Sequence, residues 1–330
     1  MRNNAIFAFI VSFLIASFLP VGPTFARYNR SSARMIDPIV STDWLADNMD
    51  LEGLVILDVR LASDYAAGHI PNSINEPFVV PFSAWITMSD DGLLLELPDR
   101  ADLFDTIGSL GITGDSLVVI VTAPNPGEPP FYGLSSATRV ALTLIYAGVK
   151  NVSVLDGGFP KWVVDGYGTI NGPSMPTPVS YEGETNEDMF VSIDYVRKHL
   201  HSDDIIDARD ADVYFGITIE PFADKAGHIP NAASLPGPWI WNLNGVEPDT
   251  FYTYKDPETL GAMASGVLRE PYGPKGHWGQ KIIVYCGVGG YASAWWYVLT
   301  QVLEYKNVKF YDGAAQEWAS EEEMVPFQWD

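Results

Sequence analysis

Three sequence blocks occur twice in this chain of 330 residues, in the same order in each half. The first half contains LVILDVR (54–60), AGHIPN (67–72) and NVSVLDGGFPKW (151–162). The second half contains, in the same order, DIIDAR (204–209), AGHIPN (226–231) and NVKFYDGAAQEW (307–318). A repeated order of this kind indicates two structurally similar units within one chain.

Within each half, short and almost wholly apolar β-runs alternate with segments of helical pattern. Runs such as SLVVIVTA and KIIVYC are typical of parallel strands that are buried on both faces. The sequence therefore predicts an α/β protein with two tandem domains, each a mainly parallel sheet flanked by helices. We expect the first domain at 36–168 and the second at 189–330. Residues 169–188 are rich in Pro, Gly, Ser and Thr and are the predicted linker.

The first 26 residues have the pattern of an export signal that is cleaved. Arg2 precedes an apolar run from Ala5 to Leu19, and the small residue Ala26 ends the segment PVGPTFA. The run has 15 residues, fewer than the ~20 that a membrane-spanning helix needs, which favours cleavage over the alternative of a membrane anchor. We expect an exported protein, periplasmic or extracellular, with no stable insertion in a membrane once residues 1–26 are removed.

The charge of the chain limits the partners that it is expected to bind. The formal net charge is -23 at pH 7, which argues against nucleic acid and anionic lipid as partners. The sequence shows no spacing of Cys and His that is typical of a metal site and no nucleotide-binding loop. We therefore expect neither a metal nor an organic cofactor.

Cys286 is the only cysteine of the chain, so no internal disulfide can form. It follows a predicted strand and precedes a glycine-rich loop and a predicted helix, and ligands bind at this end of a strand in open α/β sheets. Glycines let successive backbone N–H groups converge on an anion, and the start of a helix adds the positive end of its dipole. The sequence predicts a catalytic Cys286 held as thiolate; the alternative is a buried, inert thiol. The predicted binding residues of the loop are Gly287, Val288, Gly289, Gly290 and Tyr291.

The first half carries no cysteine at the equivalent turn. Thr122 takes the place of Cys286, and the turn that follows it, up to Ser136, is longer and rich in proline. A short glycine loop is therefore not a requirement of the predicted fold, which favours the catalytic interpretation of Cys286 over the inert one.

The chain resembles the rhodanese superfamily of thiosulfate and 3-mercaptopyruvate sulfurtransferases. The features that carry the resemblance are the tandem arrangement, the AGHIPN and LDGGFPKW blocks and the cysteine at the end of a strand. The resemblance covers the chain after residue 26. It implies a non-catalytic first domain and a sulfurtransferase activity in which Cys286 holds a sulfane sulfur as a persulfide. The implied partners are a small sulfur donor, of the thiosulfate or 3-mercaptopyruvate type, and a thiol or other nucleophile as acceptor. Two-step covalent catalysis predicts ping-pong kinetics.

The resemblance also suggests further site residues. It implies Arg209 as a donor-binding residue, with a structural salt bridge as the alternative, because its counterpart Arg60 has no cysteine loop to serve. It implies His69 and Asp64 as accessory residues, although AGHIPN recurs in the second half, which favours a structural role for His69.

The loop CGVGGY departs from the patterns of the superfamily. It lacks the arginine of thiosulfate-type members, and Val288 replaces the hydroxyl residue of mercaptopyruvate-type members. No Arg or Lys lies between Cys286 and Lys306, which disfavours phosphatase chemistry. The alternative to an enzyme is a catalytically weak rhodanese-like module of the cell envelope that binds a partner or senses redox state.

Overall fold

The computed structural model describes residues 34–125, 129–269 and 281–329. These residues belong to one structural unit, Arg34–Asp330. The expected export signal, residues 1–26, lies outside the described residues. Over the described ranges, no helix combines the length and the apolar character that crossing a membrane requires.

The sheet of the first half has five strands, all paired in parallel. They are β1 (Ile39–Val40), β2 (Leu54–Asp58), β3 (Ile74–Asn75), β4 (Leu117–Val121) and β5 (Asn151–Leu155). Their spatial order is β1-β5-β4-β2-β3, so β4 lies at the centre of the sheet. Every residue of β4 is buried, as expected for a strand that has helices on both faces.

The sheet of the second half has the same arrangement. Its strands are β6 (Phe190–Val191), β7 (Asp204–Asp207), β8 (Ala232–Ser234), β11 (Ile282–Tyr285) and β12 (Val308–Tyr311). The order is β6-β12-β11-β7-β8, again wholly parallel, with β11 at the centre where β4 lies in the first sheet. A separate antiparallel hairpin is formed by β9 (Trp241–Asn244) and β10 (Phe251–Tyr254). The predicted pair of mainly parallel α/β domains is confirmed.

Ten α-helices are assigned over the described residues. They are α1 (Thr42–Asp47), α2 (Ala62–Ala67), α3 (Arg100–Ser109), α4 (Pro130–Tyr146), α5 (Gly158–Val164), α6 (Ile193–His199), α7 (Ala211–Tyr214), α8 (Pro257–Ser265), α9 (Gly290–Tyr297) and α10 (Ala314–Glu321). Short 3₁₀ helices lie at Glu187–Met189 and Gly237–Ile240, and α9 continues as a π-helical turn, Val298–Val302. Two helices begin at a side-chain cap: the backbone N–H of Trp44 donates to Ser41 in α1, and that of Thr259 donates to Asp256 in α8.

Helices α4 and α9 hold the two halves together. Each follows the loop after the central strand of its own sheet, and nearly all residues of both helices are buried. The hydroxyl oxygens of Thr138 on α4 and Ser293 on α9 are 2.8 Å apart. A buried ion pair joins Arg139 on α4 to Asp312, with 2.8 Å between Nη1 and Oδ1. This packing brings the loops that precede α4 and α9 to the same side of the interface.

The predicted linker, 169–188, is packed along the first half. Ile170 pairs with His69 through two backbone hydrogen bonds of 3.0 Å. Further along, the N–H of Val179 donates to the carbonyl of Gly108 at 2.9 Å, and the buried Tyr181 hydroxyl donates to the carbonyl of Ala147. Backbone pairing and a buried tyrosine fix its course along the first half.

Candidate active site

A cavity of about 530 Å³ lies between the two halves, and Cys286 forms part of its wall. The first half contributes apolar residues such as Phe78 and hydroxyl residues such as Thr122. The second half contributes the loop after Cys286 and a segment that contains Glu220 and Phe222. The cavity is thus formed jointly by both halves.

Cys286 lies directly after the central strand of the second sheet. All four residues of β11 are buried, and the Cys286 carbonyl accepts a hydrogen bond from the N–H of Ala315, which fixes the end of the strand. The Cys286 side chain accepts a hydrogen bond from the N–H of Gly289, with 3.1 Å between N and Sγ. Gly289 has a φ of 100°, a conformation that favours glycine, and α9 begins at the next residue. The predicted order of strand, loop and helix around Cys286 is confirmed.

Burial dominates the electrostatics of this thiol. Cys286 is 3% exposed, and burial raises the pKa of its thiol above the ordinary cysteine value. Hydrogen bonds from the N–H groups of Ala292, Val288 and Gly289 lower the pKa, whereas the charge of Glu220 raises it further. The expectation of a thiolate at neutral pH is therefore wrong in direction, because loss of hydration outweighs the converging N–H groups.

We predict that the reactivity of Cys286 increases with pH well beyond neutrality. Because the pKa is raised above the ordinary cysteine value, the thiolate fraction should still be increasing at the pH at which that of free cysteine levels off. The measurement is the rate of alkylation of Cys286 by iodoacetamide across neutral and alkaline pH, with free cysteine as the reference. A plateau that begins below about pH 8 would contradict the prediction.

The structure does not bring Arg209 to the cavity wall. Its guanidinium is 2% exposed; Nη2 donates to Oδ2 of Asp207 at 2.6 Å and to the carbonyl of Gly227 at 2.7 Å. Arg60 makes the matching contacts in the first half, to Asp58 at 2.6 Å and to the carbonyl of Gly68 at 3.0 Å. The geometry therefore favours the salt-bridge alternative, in which each arginine ties the end of a strand to the AGHIPN turn.

His69 and Asp64 also lie outside the cavity wall. The ring of His69 is fully buried and stacks on Tyr65 with 3.7 Å between centroids, and its Nδ1 lies 2.8 Å from the Tyr65 carbonyl. His228 stacks in the same way on Tyr214 in the second half. Asp64 lies in the first turn of α2, and its carbonyl accepts a hydrogen bond from the N–H of Gly68. His69 and His228 make matching contacts in the two halves, which favours a structural role, and neither of the accessory residues implied by the resemblance lines the cavity at Cys286.

Glu220 is a residue of the cavity wall that the sequence analysis missed. Its carboxylate lies against the backbone of Gly287, where a β-carbon would come within 2.5 Å of Oε2 and 2.7 Å of Oε1. Burial raises the pKa of Glu220 to about 7. A sequence signal was present: six residues separate Arg60 from the first AGHIPN, but sixteen separate Arg209 from the second. Glu220 lies in this additional segment.

The first half provides the opposite wall of the cavity. Thr122, at the position that corresponds to Cys286, lines the same cavity, and its hydroxyl donates to the carbonyl of Gly133 at 2.7 Å. Tyr132 reaches across to Tyr291, with 5.4 Å between ring centroids. The half without a cysteine therefore shapes the space in front of Cys286.

The repeated architecture agrees with a known family. The sequence profile described as Rhodanese-like domain matches the chain twice, at residues 41–165 and 192–321. The chain belongs to the rhodanese family. The resemblance to tandem rhodanese-like domains is confirmed. Across the described residues, no group of three or more His, Cys, Asp or Glu side chains is arranged to hold a metal ion.

The curated relatives that this chain matches are covered over almost their full length. A protein of Saccharopolyspora erythraea is 27% identical over 86% of this chain and 93% of its own length. One of Haloferax volcanii is 28% identical over 86% of this chain and 94% of its own length. Both carry the name thiosulfate sulfurtransferase. The family and these relatives assign the chain to the rhodanese-type sulfurtransferases.

Solved structures share the fold of this chain. SseA from Escherichia coli, described as a 3-mercaptopyruvate sulfotransferase, has a TM-score of 0.65 and 26% identity, covering 84% of this chain and 99% of that chain. The anaerobic ergothioneine biosynthesis enzyme from Chlorobium limicola, in complex with trimethyl histidine, has a TM-score of 0.69 and 20% identity, covering 88% of this chain and 70% of that chain. The second likeness concerns the fold alone.

Proposed function

We propose that this rhodanese-type sulfurtransferase moves a sulfane sulfur from a small donor to a thiol or other nucleophile through a persulfide on Cys286. The observation that carries the proposal is the position of Cys286, the only cysteine of the chain, at the end of the central strand and in the wall of the interdomain cavity. A nucleophile in this place meets a donor away from bulk water. The donor is of the thiosulfate or 3-mercaptopyruvate type, in keeping with the names of the relatives and of SseA.

The reaction has two covalent steps. In the first, the Cys286 thiolate attacks the outer sulfur of thiosulfate or the thiol sulfur of 3-mercaptopyruvate, and a new S–S bond forms. The donor's S–S or C–S bond breaks with its electron pair on sulfite or on the enolate of pyruvate, and the enolate then takes up a proton. In the second, an acceptor thiolate attacks the outer sulfur of the persulfide, and Cys286 leaves again as thiolate. The N–H of Gly289 donates to Sγ of Cys286, so it stabilises the charge that returns to this atom.

The loop that follows Cys286 forms the binding surface of the proposed site. Gly287, Val288, Gly290 and Tyr291 line the cavity, and Gly289 orients the sulfur. A side chain at position 287 would collide with Glu220 and with Phe222, whose Cε2 lies 2.6 Å from the place of a β-carbon. A larger residue at position 287 would have to displace the ends of both side chains from the loop.

Intact-mass measurement tests the proposal. The full chain is incubated with thiosulfate or 3-mercaptopyruvate, and the expected result is an addition of ~32 Da, one sulfur atom, that a thiol then removes. The Cys286→Ser variant serves as the matched control and should gain no mass. If neither donor modifies Cys286 at high concentration, the proposed function is refuted.

A catalytically weak module that binds a partner or senses redox state is the second candidate. The observation in its favour is the buried thiol, whose raised pKa leaves little thiolate at neutral pH. Multiple turnovers separate the two candidates: an enzyme releases many equivalents of sulfur to excess thiol, whereas a module releases at most one for each Cys286.

A further inference from the structure

Arg60 places a positive charge in the wall of the cavity that contains Cys286. Among the described residues that line this cavity there is no Lys, no His and no second Arg. The side chain of Arg60 is 5% exposed, and the ring of Phe159 covers one face of its guanidinium, with 3.6 Å between Cζ and the ring centroid. An anionic substrate that approaches this chain, whose formal net charge is -23, therefore meets a buried cation in the first half.

The hydrogen bonds of Arg60 leave one nitrogen of its guanidinium without an acceptor. Nε donates to Oδ1 of Asp58 at 3.0 Å, and Nη2 donates to Oδ2 of Asp58 at 2.6 Å and to the carbonyl of Gly68 at 3.0 Å. Nη1 donates to none of the described residues, and it is not one of the fully enclosed polar atoms that lack a partner. Its two N–H groups are therefore accessible, and they have the planar geometry that suits a carboxylate.

The second half shows what an arginine with these bonds attracts. Arg209 donates to Asp207 and to the Gly227 carbonyl in the same way, and its Nη1 lies 3.7 Å from Oε2 of Glu220. Burial raises the pKa of Glu220, and the charge of Arg209 lowers it, so an arginine that is paired with an aspartate still attracts a second carboxylate.

In the first half, the place of that second carboxylate is open. Within the described part of the chain, Asp58 is the only carboxylate paired with Arg60. The cavity has a volume of about 530 Å³, within the range of pockets that hold organic ligands. A carboxylate at Nη1 of Arg60 can therefore come from a molecule that occupies the cavity.

We propose that Nη1 of Arg60 binds the carboxylate of a substrate, donor or acceptor, and holds that substrate in the cavity for its reaction at Cys286. The inference rests on the proposed persulfide chemistry and adds a binding residue from the half without a cysteine. The carboxylate of the substrate takes the place at Arg60 that Glu220 takes at Arg209. Organic sulfur compounds that carry a carboxylate should therefore react faster than their uncharged derivatives.

Matched pairs of charged and neutral substrates test each step of the reaction. In the donor arm, the full chain is loaded by 3-mercaptopyruvate or by its methyl ester. In the acceptor arm, the chain is loaded with excess donor, separated from it, and discharged by 3-mercaptopropionate or by 3-mercaptopropionamide. Intact mass follows both steps at low substrate concentration, and each rate is corrected for the ionised fraction of the thiol. The readout is the ratio of the rate with the charged compound to the rate with the neutral one.

Arg60→Lys is the first variant. It keeps a cation beside Asp58 but lacks the planar pair of N–H groups at Nη1. We expect the ratio to fall about tenfold in at least one arm, which is the effect of losing one hydrogen bond between charged groups. A fall in the donor arm alone assigns the carboxylate to the donor, and a fall in the acceptor arm alone assigns it to the acceptor. Thermal unfolding verifies that the variant is folded.

A second pair of variants keeps every contact of Arg60. Leu61 lines the same cavity and is 36% exposed. Leu61→Glu adds a carboxylate to this wall, and Leu61→Gln is the control of the same shape without the charge. The ratio should be about threefold lower in Leu61→Glu than in Leu61→Gln, because the added carboxylate competes for Arg60 and repels the carboxylate of the substrate.

Alkylation of Cys286 gives a readout that needs no sulfur transfer. Iodoacetate and iodoacetamide are similar in size and differ in charge, and the ratio of their rates should also fall in Arg60→Lys. If the persulfide forms and discharges but all ratios stay within about twofold in Arg60→Lys and between the two Leu61 variants, binding by Arg60 is refuted and the sulfur transfer stands. If no donor loads Cys286, the proposed function fails, and the alkylation ratio alone then decides whether Arg60 binds a carboxylate.

Discussion

Replacing Cys286 with serine is expected to reduce sulfur transfer by at least about 10⁴-fold, to the rate without protein. A serine oxygen cannot accept a sulfane sulfur and release it again under these conditions, and the chain has no second cysteine that could take over the reaction. The measurement is steady-state turnover with 3-mercaptopyruvate or thiosulfate as donor and a thiol as acceptor. In the unmodified chain, a series of donor and acceptor concentrations should give the parallel double-reciprocal lines of a ping-pong mechanism.

The fold should tolerate this change. The side chain of Cys286 accepts a hydrogen bond from the N–H of Gly289, and a serine oxygen can accept the same bond. Thermal unfolding of Cys286→Ser and Cys286→Ala should therefore stay close to that of the unmodified chain, which separates lost chemistry from lost structure. Turnover that persists in both variants would show that another group carries the sulfur.

Replacing Arg209 with leucine is expected to lower the free energy of unfolding by about 3–5 kcal/mol. The change removes the partner of Asp207, a carboxylate with no exposed surface, and leaves that charge buried beside the Tyr285 hydroxyl. It also removes the hydrogen bond to the Gly227 carbonyl at the AGHIPN turn. Chemical denaturation, followed by circular dichroism, measures the loss.

The duplication supplies a matched comparison for this variant. Arg60→Leu removes the same contacts, to Asp58 and the Gly68 carbonyl, in the half that has no cysteine loop. A similar loss of stability in both variants supports a shared structural role. A stable Arg209→Leu chain whose KM for the donor alone has increased would instead show that Arg209 binds the donor.

The repeated blocks predicted the architecture because their residues indicate strands and turns from local sequence alone. Apolar runs such as LVVIV indicate a buried central strand whatever lies next to them, and β4 and β11 occupy equivalent central positions. The position of Cys286 after β11 followed from the same pattern. The loop after Cys286 was predictable because glycines between a strand and a helix indicate a tight turn with an unusual backbone conformation.

The electrostatics of the site depend on segments that lie far apart in the sequence. Glu220 reaches Gly287 only because an additional segment before the second AGHIPN folds back over the loop, and no spacing rule predicts that contact. The raised pKa of Cys286 depends first on its burial, which results from tertiary packing that the local loop sequence does not contain. For His69 the duplication gave the better indication: a residue that stacks on a tyrosine in both halves belongs to the scaffold.

The position of Thr122 shows that the half without the cysteine also contributes to the cavity. Thr122 and Cys286 end equivalent strands and line one cavity, so the copy that lacks the nucleophile still shapes the space around the other's sulfur. Its stretch from Thr122 to Asp156 is eight residues longer than the stretch from Cys286 to Asp312. Because that half has no cysteine, its length and its side chains can change without altering the reactive sulfur. Evolution of substrate preference in such proteins should therefore concentrate in the half that has no cysteine.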